Sequence, residues 1–342
     1  MERIYSYKVA TRCFTYNQAD YIENTLHGFV KQETDFPVVY IVVDDASNDG
    51  EPDILQAWAN SYLEEDTLQN RDMPYGKLIV GHLQERPLSK FVVLLLSENY
   101  YQSGNEIKKF DFIAEWLEDA EYHALCEGDD YWIDPLKIHK QVFFMDAHTD
   151  YGMCHTDFDL SDGSRRTHYN EKYPDGNYFP GIIEHEDVSI GTLTVLYRKE
   201  IYDKTPKFYF NRDFVAGDKA MWIELSREAK IKYLPEITAC YRILTQSASH
   251  SSSLEKMLQF REGLQDIRHF YAEKYGIKIL DYKNYCTYCL RGCYLVSSAE
   301  KADYYYSVAR NSNSLTSKGF LFYLGAKYSF IKKLVSLWVK PK

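Results

Sequence analysis

Tyr122-His123-Ala124-Leu125-Cys126-Glu127-Gly128-Asp129-Asp130-Tyr131-Trp132 is a short, mostly apolar run that stops abruptly at three carboxylates. A run of this length suits a buried strand, and carboxylates at its C-terminal end emerge where parallel α/β sheets bind their ligands. Carboxylate oxygens are hard ligands, so the position favours Mg²⁺ or Mn²⁺ over zinc. Asp129-Asp130 can equally turn the chain and cap the helix that Pro135 opens, since Asp suits both places. On these residues alone both readings stand.

Upstream, apolar runs alternate with helix-like segments. Lys8 to Phe14, Val38 to Val43 and Val92 to Leu96 read as strands, and Gln18 to Lys31, Asp53 to Glu64 and Ile107 to Glu118 as helices. This alternation predicts an α/β fold with a mostly parallel sheet flanked by helices. Residues Glu64 to Phe91 are polar and poorly periodic, broken by Met73-Pro74-Tyr75-Gly76, and read as a surface insertion. Downstream, Pro135 to Ala147 is expected helical, Gly152 to Phe158 and Gly191 to Tyr197 extended, Asp218 to Ala229 helical and Ile231 to Leu234 a strand. The polar stretch Asp162 to Pro180 reads as a loop. One domain over 1–253 is expected, in halves 1–134 and 135–253, followed by a helical C-terminal region over 254–342. There Met257, Phe260, Leu264, Ile267 and Phe270 recur at helical spacing.

Bulk properties exclude several classes. With 342 residues and 45% apolar composition the chain can bury a sizeable core. A net charge of −10 and the lack of a long Lys/Arg block argue against a nucleic-acid partner. Seven cysteines without a regular framework suit free thiols in a reducing compartment. Met1 to Lys8 has no apolar signal region, so a cytoplasmic location is expected. Cys286, Cys289 and Cys293 read as a buried helix stripe, with no fourth ligand for zinc in evidence.

Residues 315–342 mix Phe320, Leu321, Phe330, Leu334, Leu337 and Trp338 with lysines. Such a segment can lie in the interface of an anionic membrane at the inner face of the cell, as a peripheral contact, or can pack its apolar stripe on the protein. Gly319 and Gly325 interrupt a continuous amphipath and weigh toward packing. The lysines exclude a spanning helix.

Two further constellations bear on chemistry. The strand Val38 to Val43 runs into Asp44-Asp45-Ala46-Ser47-Asn48-Asp49-Gly50, whose last four residues suit a turn. Asp44 and Asp45 can accept hydrogen bonds from a base or ribose, as acidic residues do in nucleotide-binding α/β folds. Val9 to Gln18 is a strand running into a polar loop, where Thr11 and exposed backbone can bracket a base or merely connect strand to helix.

Together these elements resemble the family-2 glycosyltransferases, nucleotide-sugar enzymes with the GT-A fold. Thr15-Tyr16-Asn17-Gln18 resembles that family's first loop, Val42 to Gly50 its uridine-side acidic turn, and Glu127-Gly128-Asp129-Asp130 its metal-binding DXD position. The resemblance implies that Thr11 and Asp44 or Asp45 contact the nucleoside. It also implies that Asp129 lies against the ribose and the metal-bound diphosphate, and that Asp130 ligates the metal directly. Gly217-Asp218-Lys219 resembles the later acidic motif of inverting members, which makes Asp218 the expected base for the acceptor hydroxyl or, failing that, a helix cap. Tyr241-Arg242 resembles the lead into a loop over the diphosphate, where His250 would touch metal or phosphate. Asn99, Gly104 and Asn105 resemble an Asn-Gly loop beneath the donor sugar, although Lys108-Lys109 departs from the small residues usual there.

The resemblance therefore implies a Mn²⁺- or Mg²⁺-dependent, inverting transfer from a nucleotide-sugar, UDP-linked first of all, to a hydroxyl of a glycan or lipid-linked glycan. Tyr169, Tyr173, Tyr178 and Phe179 are candidate acceptor-side aromatics. A sugar-phosphate nucleotidyltransferase would more naturally carry a Gly-rich phosphate loop near the N-terminus, and a non-catalytic glycan-binding module would leave the acidic series unexplained.

Overall fold

The computed structural model describes residues 4–163, 165–166, 176–185, 190–206, 214–244, 253–280 and 282–337. It divides into two compact units: 1–176, 190–210 and 224–242 in the first, and 177–189, 211–223 and 243–342 in the second.

The first unit holds an 11-stranded sheet. In chain order its elements are β1 (Tyr7–Thr15), α1 (Ile22–Val30), β2 (Val38–Asp44), α2 (Glu51–Tyr62), β3 (Gln69–Met73), β4 (Gly76–Leu83), β5 (Arg86–Leu96), α3 (Lys108–Phe112), α4 (Ala114–Glu118), β6 (Ala120–Leu125), β7 (Tyr131–Trp132), α5 (Lys137–Ala147), β8 (Tyr151–Leu160) and β9 (Arg165–Arg166). Beyond the short α6 (Gly181–Glu184) of the second unit come β10 (Leu196–Arg198), α7 (Lys199–Lys204), α8 (Gly217–Glu228) and β11 (Lys230–Tyr241). The strand order is β3-β4-β5-β2-β1-β6-β10-β8-β11-β7, with β9 on β8.

Parallel pairing is confined to β5-β2-β1-β6 and β8-β11, and the other neighbours are antiparallel. Every residue of β2 is buried, as expected of a central strand covered on both faces. Tyr40 of β2 anchors a ring stack: Phe29 of α1 lies 5.3 Å from it, Phe91 of β5 4.8 Å on, and Trp58 of α2 a further 4.8 Å from Phe91. Helices α1 and α2 are thereby clamped to the sheet by aromatic burial.

The stretch 64–91 is not an insertion apart from the core. It forms β3, β4 and the start of β5, and Leu78, Ile79, Val80 and Leu83 are buried. Tight connections at Pro74-Tyr75 and Gln84-Glu85 force antiparallel pairing there, which makes the sheet mixed. Gly76, at φ +146, is required because a Cβ would fall 2.0 Å from the Leu95 carbonyl oxygen. Gly191 to Tyr197 is likewise not one strand: Thr192–Thr194 is a 3₁₀ turn, and its Leu193 carbonyl accepts the indole N–H of Trp132 at 2.9 Å.

The second unit contains α9 (Leu254–Tyr275), α10 (Lys283–Val296), α11 (Ala299–Asn311), α12 (Ser317–Lys327) and α13 (Ser329–Ser336). It takes in more than the expected 254–342. The fully buried Arg268 of α9 donates to the carbonyls of Ile183 and Glu184, each at 3.0 Å, and Val215 packs against Gly263. Cys286, Cys289 and Cys293 form the buried stripe of α10 with Leu258, Tyr294 and Phe322. All seven cysteines are free thiols. No described helix is long and apolar enough to cross a membrane.

Candidate active site

Three loops meet at the C-terminal ends of β1, β2 and β6, all in the first unit. Thr15 closes β1 directly opposite Asp44, the last residue of β2. The chain beyond β6 keeps to the side of β1, with the Cys126 N–H on the Arg12 carbonyl at 3.2 Å and the Gly128 N–H on the Phe14 carbonyl at 3.1 Å.

The loops after β1 and β2 are stitched together by side chains. Glu51, fully buried at the start of α2, accepts the Gln18 N–H at 2.9 Å, the Ser47 hydroxyl at 3.0 Å and the Thr15 hydroxyl. Asp49 takes the Ala19 N–H at 2.9 Å, and Asn17 takes the Asn48 N–H at 2.9 Å. Asn17, Ala46 and Gly50 adopt φ values of 53°, 62° and 97° to make these turns. One acidic residue thus satisfies donors from two loops that otherwise have no covalent reason to hold together.

The acidic loop 127–130 is seated on this base. The Thr25 hydroxyl of α1 lies 2.9 Å from the Gly128 carbonyl and 2.6 Å from that of Asp130. A Cβ on Gly128 would fall 2.3 Å from the Thr15 hydroxyl and 2.4 Å from the Gln18 side-chain oxygen. Gly128→Ala is accordingly expected to lower the melting temperature by several degrees, a loss of about 2 kcal/mol or more, and to weaken nucleotide binding; differential scanning calorimetry and a UDP titration read the two effects. Gly28 allows the backbone of α1 to meet that of Trp132, where a Cβ would fall 2.9 Å from Trp132 N and O.

Asp130 is almost fully buried. Its Oδ1 accepts the Arg242 N–H at 2.8 Å, while the Arg242 guanidinium donates to the Asp129 carbonyl at 3.1 Å and lies over the rings of Tyr21 and Tyr131. Pairing of β11 with β7 delivers Arg242 to this position. Burial, Asp129 and Glu127 together push the Asp130 carboxyl well above the usual carboxylate range, and burial raises Asp129 as well. Crowded acidic groups of this kind gain from a bound cation.

Burial likewise raises Asp44 to about 6, and its Oδ1 has no hydrogen-bond partner while Oδ2 takes the Ser47 N–H at 3.2 Å. Between about pH 4 and 6 the folded protein holds this proton and the unfolded chain has released it, so the contribution to stability falls as pH rises through about 6. Asp44→Asn is expected to raise stability at pH 8 by roughly 2–3 kcal/mol and to leave little difference near pH 3.5; urea denaturation at both pH values checks this.

Residues 14–68 match the family model described as glycosyl transferase family 2. The matched segment runs from the end of β1 through α2. The chain is 27% identical over 283 residues to the uncharacterized protein Rv1520 of Mycobacterium tuberculosis, covering 77% of this chain and 69% of that protein. Two solved structures are similar: residues 1–349 of Staphylococcus aureus TarS with UDP-GlcNAc, at 16% identity over 92% of this chain and 90% of that one, TM-score 0.49, and the Pyrobaculum calidifontis mannosyltransferase PcManGT with GDP-Man and Mn²⁺, at 14% identity over 98% and 89%, TM-score 0.49.

The geometry of the three loops redistributes the expected site residues. Thr11 is fully buried in the middle of β1, opposite Tyr40 and Ala124, about 13 Å along the strand from its C-terminal end. Thr15 is the residue level with Asp44. Asp45 is engaged within the protein: Oδ1 accepts the Tyr100 N–H at 2.8 Å, and Oδ2 takes the Tyr101 N–H at 3.1 Å and the buried Lys109 ammonium at 2.9 Å. Lys109 is thus the counter-charge that lets Asp45 hold the 99–105 turn. In that turn Asn99 accepts the Gln102 N–H at 2.7 Å and Gly104 is exposed at φ +71. Asp218 lies in the first turn of α8, in the second unit, and its Oδ1 accepts the Lys219 N–H at 2.7 Å. Tyr178 is buried rather than presented on a loop, and Phe179 meets Tyr275 edge-on at 5.6 Å. His250, Tyr169 and Tyr173 lie outside the described residues.

Proposed function

We propose that the chain moves a sugar from a nucleotide-sugar, UDP-linked first of all, to a hydroxyl of a glycan or lipid-linked glycan, with inversion at the anomeric carbon and with Mn²⁺ or Mg²⁺ bound. The observation that carries this reading is the Asp129-Asp130 pair, half-buried at Asp129 and buried at Asp130, whose carboxyls are pushed up by burial and, at Asp130, by its acidic neighbours, and which sits beside the Arg242 guanidinium. Hard oxygen donors at crowded carboxylates fit a divalent cation. Among the described residues no three His, Cys, Asp or Glu side chains converge on a metal position, so Asp129 and Asp130 are the residues that would hold the ion, as carboxylate oxygens suited to a hard divalent cation. When bound, the ion supplies Lewis-acid stabilisation of the diphosphate's charge.

The protein's own groups divide the remaining work. Asp44, with an unpartnered buried oxygen, accepts an N–H of the base; Thr15, Gln18 and Glu51 fix the loop that borders it. Arg242 adds positive charge on the diphosphate side. Asp218 takes the proton of the acceptor hydroxyl, a role supported by its motif and its place in the first turn of α8. Incubation with a panel of nucleotide-sugars, Mn²⁺ and glycan acceptors should release nucleoside diphosphate from one donor only; pyrophosphate release from a parallel mixture of nucleoside triphosphates and sugar 1-phosphates would indicate nucleotidyl transfer, and no release in either mixture with glycan retention would indicate a binding module.

A further inference from the structure

In the second unit, α12 and α13 each bury one side and expose an apolar other. Gly319, Phe322, Gly325 and Ala326 form the buried side of α12, with Gly325 so close to Tyr294 that a Cβ would fall 2.6 Å from its ring. The glycines that interrupt the amphipath in the sequence are therefore the packing face, and Phe320 and Leu321 are left 40% and 47% exposed. In α13, Val335 enters the helical core while Phe330, Leu334 and Leu337 stand 65%, 58% and 80% exposed. Their spacing of four and three residues puts the last three on one side of the helix.

Charge is segregated in the same direction. The whole chain carries −10, yet every charged residue from 304 onward is Lys or Arg. Lys318 and Lys333 are exposed beside the apolar residues, whereas Lys327 is held by Asp303 at 2.8 Å and Lys332 by the Leu295 carbonyl at 3.1 Å. An apolar strip bordered by exposed lysines, on an otherwise acidic protein, is complementary to one kind of surface: an apolar layer beneath negative headgroups.

We propose that the exposed side of α12 and α13 docks on an anionic lipid bilayer, with Phe330, Leu334 and Leu337 entering the headgroup boundary and Lys318 and Lys333 on lipid phosphates. This surface is independent of which sugar is transferred. It holds the protein at the membrane by partial insertion, without a spanning helix.

The test is flotation of the full chain with vesicles of phosphatidylcholine containing about 30% phosphatidylglycerol, against pure phosphatidylcholine. The protein should float with the anionic vesicles, remain below with neutral ones, and be released at about 0.5 M salt. Phe330→Ser/Leu334→Ser/Leu337→Ser should reduce partitioning more than about 100-fold, and Lys318→Glu/Lys333→Glu more than about 10-fold, with circular dichroism and nucleotide-diphosphate titration unchanged. The lysine pair is exposed and serves alone if the triple variant does not fold. Absence of wild-type flotation, equal flotation of folded variants, or conversion of a wild-type dimer to monomer by the triple variant with no lipid binding would overturn the proposal.

Discussion

Asp130→Asn is expected to yield a protein that is more stable than wild type and severely impaired in turnover. The variant's carboxamide oxygen can still accept the Arg242 N–H that Asp130 accepts at 2.8 Å, so the join between β7 and β11 persists. Removing the charge relieves a carboxyl that burial, Asp129 and Glu127 hold well above its ordinary range, and the melting temperature at neutral pH should rise. The same change removes the ligand proposed for the divalent cation, and kcat/KM should fall on the order of 10³-fold. The two effects run in opposite directions, which separates a site residue from a structural one. A variant with unchanged turnover, or one that loses activity only because it unfolds, would remove Asp130 from the metal assignment.

Asp218→Asn is expected to bind donor as wild type does and to lose about 10²–10⁴-fold in kcat. The contact that Asp218 makes with the Lys219 N–H at 2.7 Å needs only an acceptor, and a carboxamide oxygen supplies that. What a carboxamide cannot do is take a proton from the acceptor hydroxyl. Single-turnover transfer measured beside nucleotide-diphosphate affinity distinguishes the roles: full transfer by the folded variant would leave Asp218 as a cap.

Local pattern made parts of the architecture legible. Val38 to Asp44 is continuously apolar before its last residue because it is buried on both faces, and such a run between turn residues has few alternatives. The C-terminal stripe of Cys286, Cys289 and Cys293 followed from helical spacing. Leu78 to Leu83 was not legible, since Gly81 and His82 break its apolar run and its burial depends on pairing with β5. Thr11 and Thr15 share one face of a strand with period two, and only the register with β2 shows that Thr15 stands opposite Asp44. The same limit applies to Asp44 and Asp45, adjacent and chemically identical: alternation sends them to opposite faces, where Asp45 meets Lys109 and Asp44 retains an unpartnered oxygen. Glu51 reads as an ordinary acidic residue at a helix start. Its function in tying Gln18 to Ser47 arises from contacts across about thirty residues of sequence, which spacing alone does not encode.

The acidic loop after β6 is proposed to bind a nucleoside diphosphate through a divalent cation. Calorimetric titration of UDP and GDP into the wild-type protein, with Mn²⁺ and separately with EDTA, decides whether it does. One nucleotide should bind with Mn²⁺ present and lose at least about 100-fold in affinity with EDTA. Equal affinity in both buffers, or no binding of either nucleotide with Mn²⁺, would contradict it.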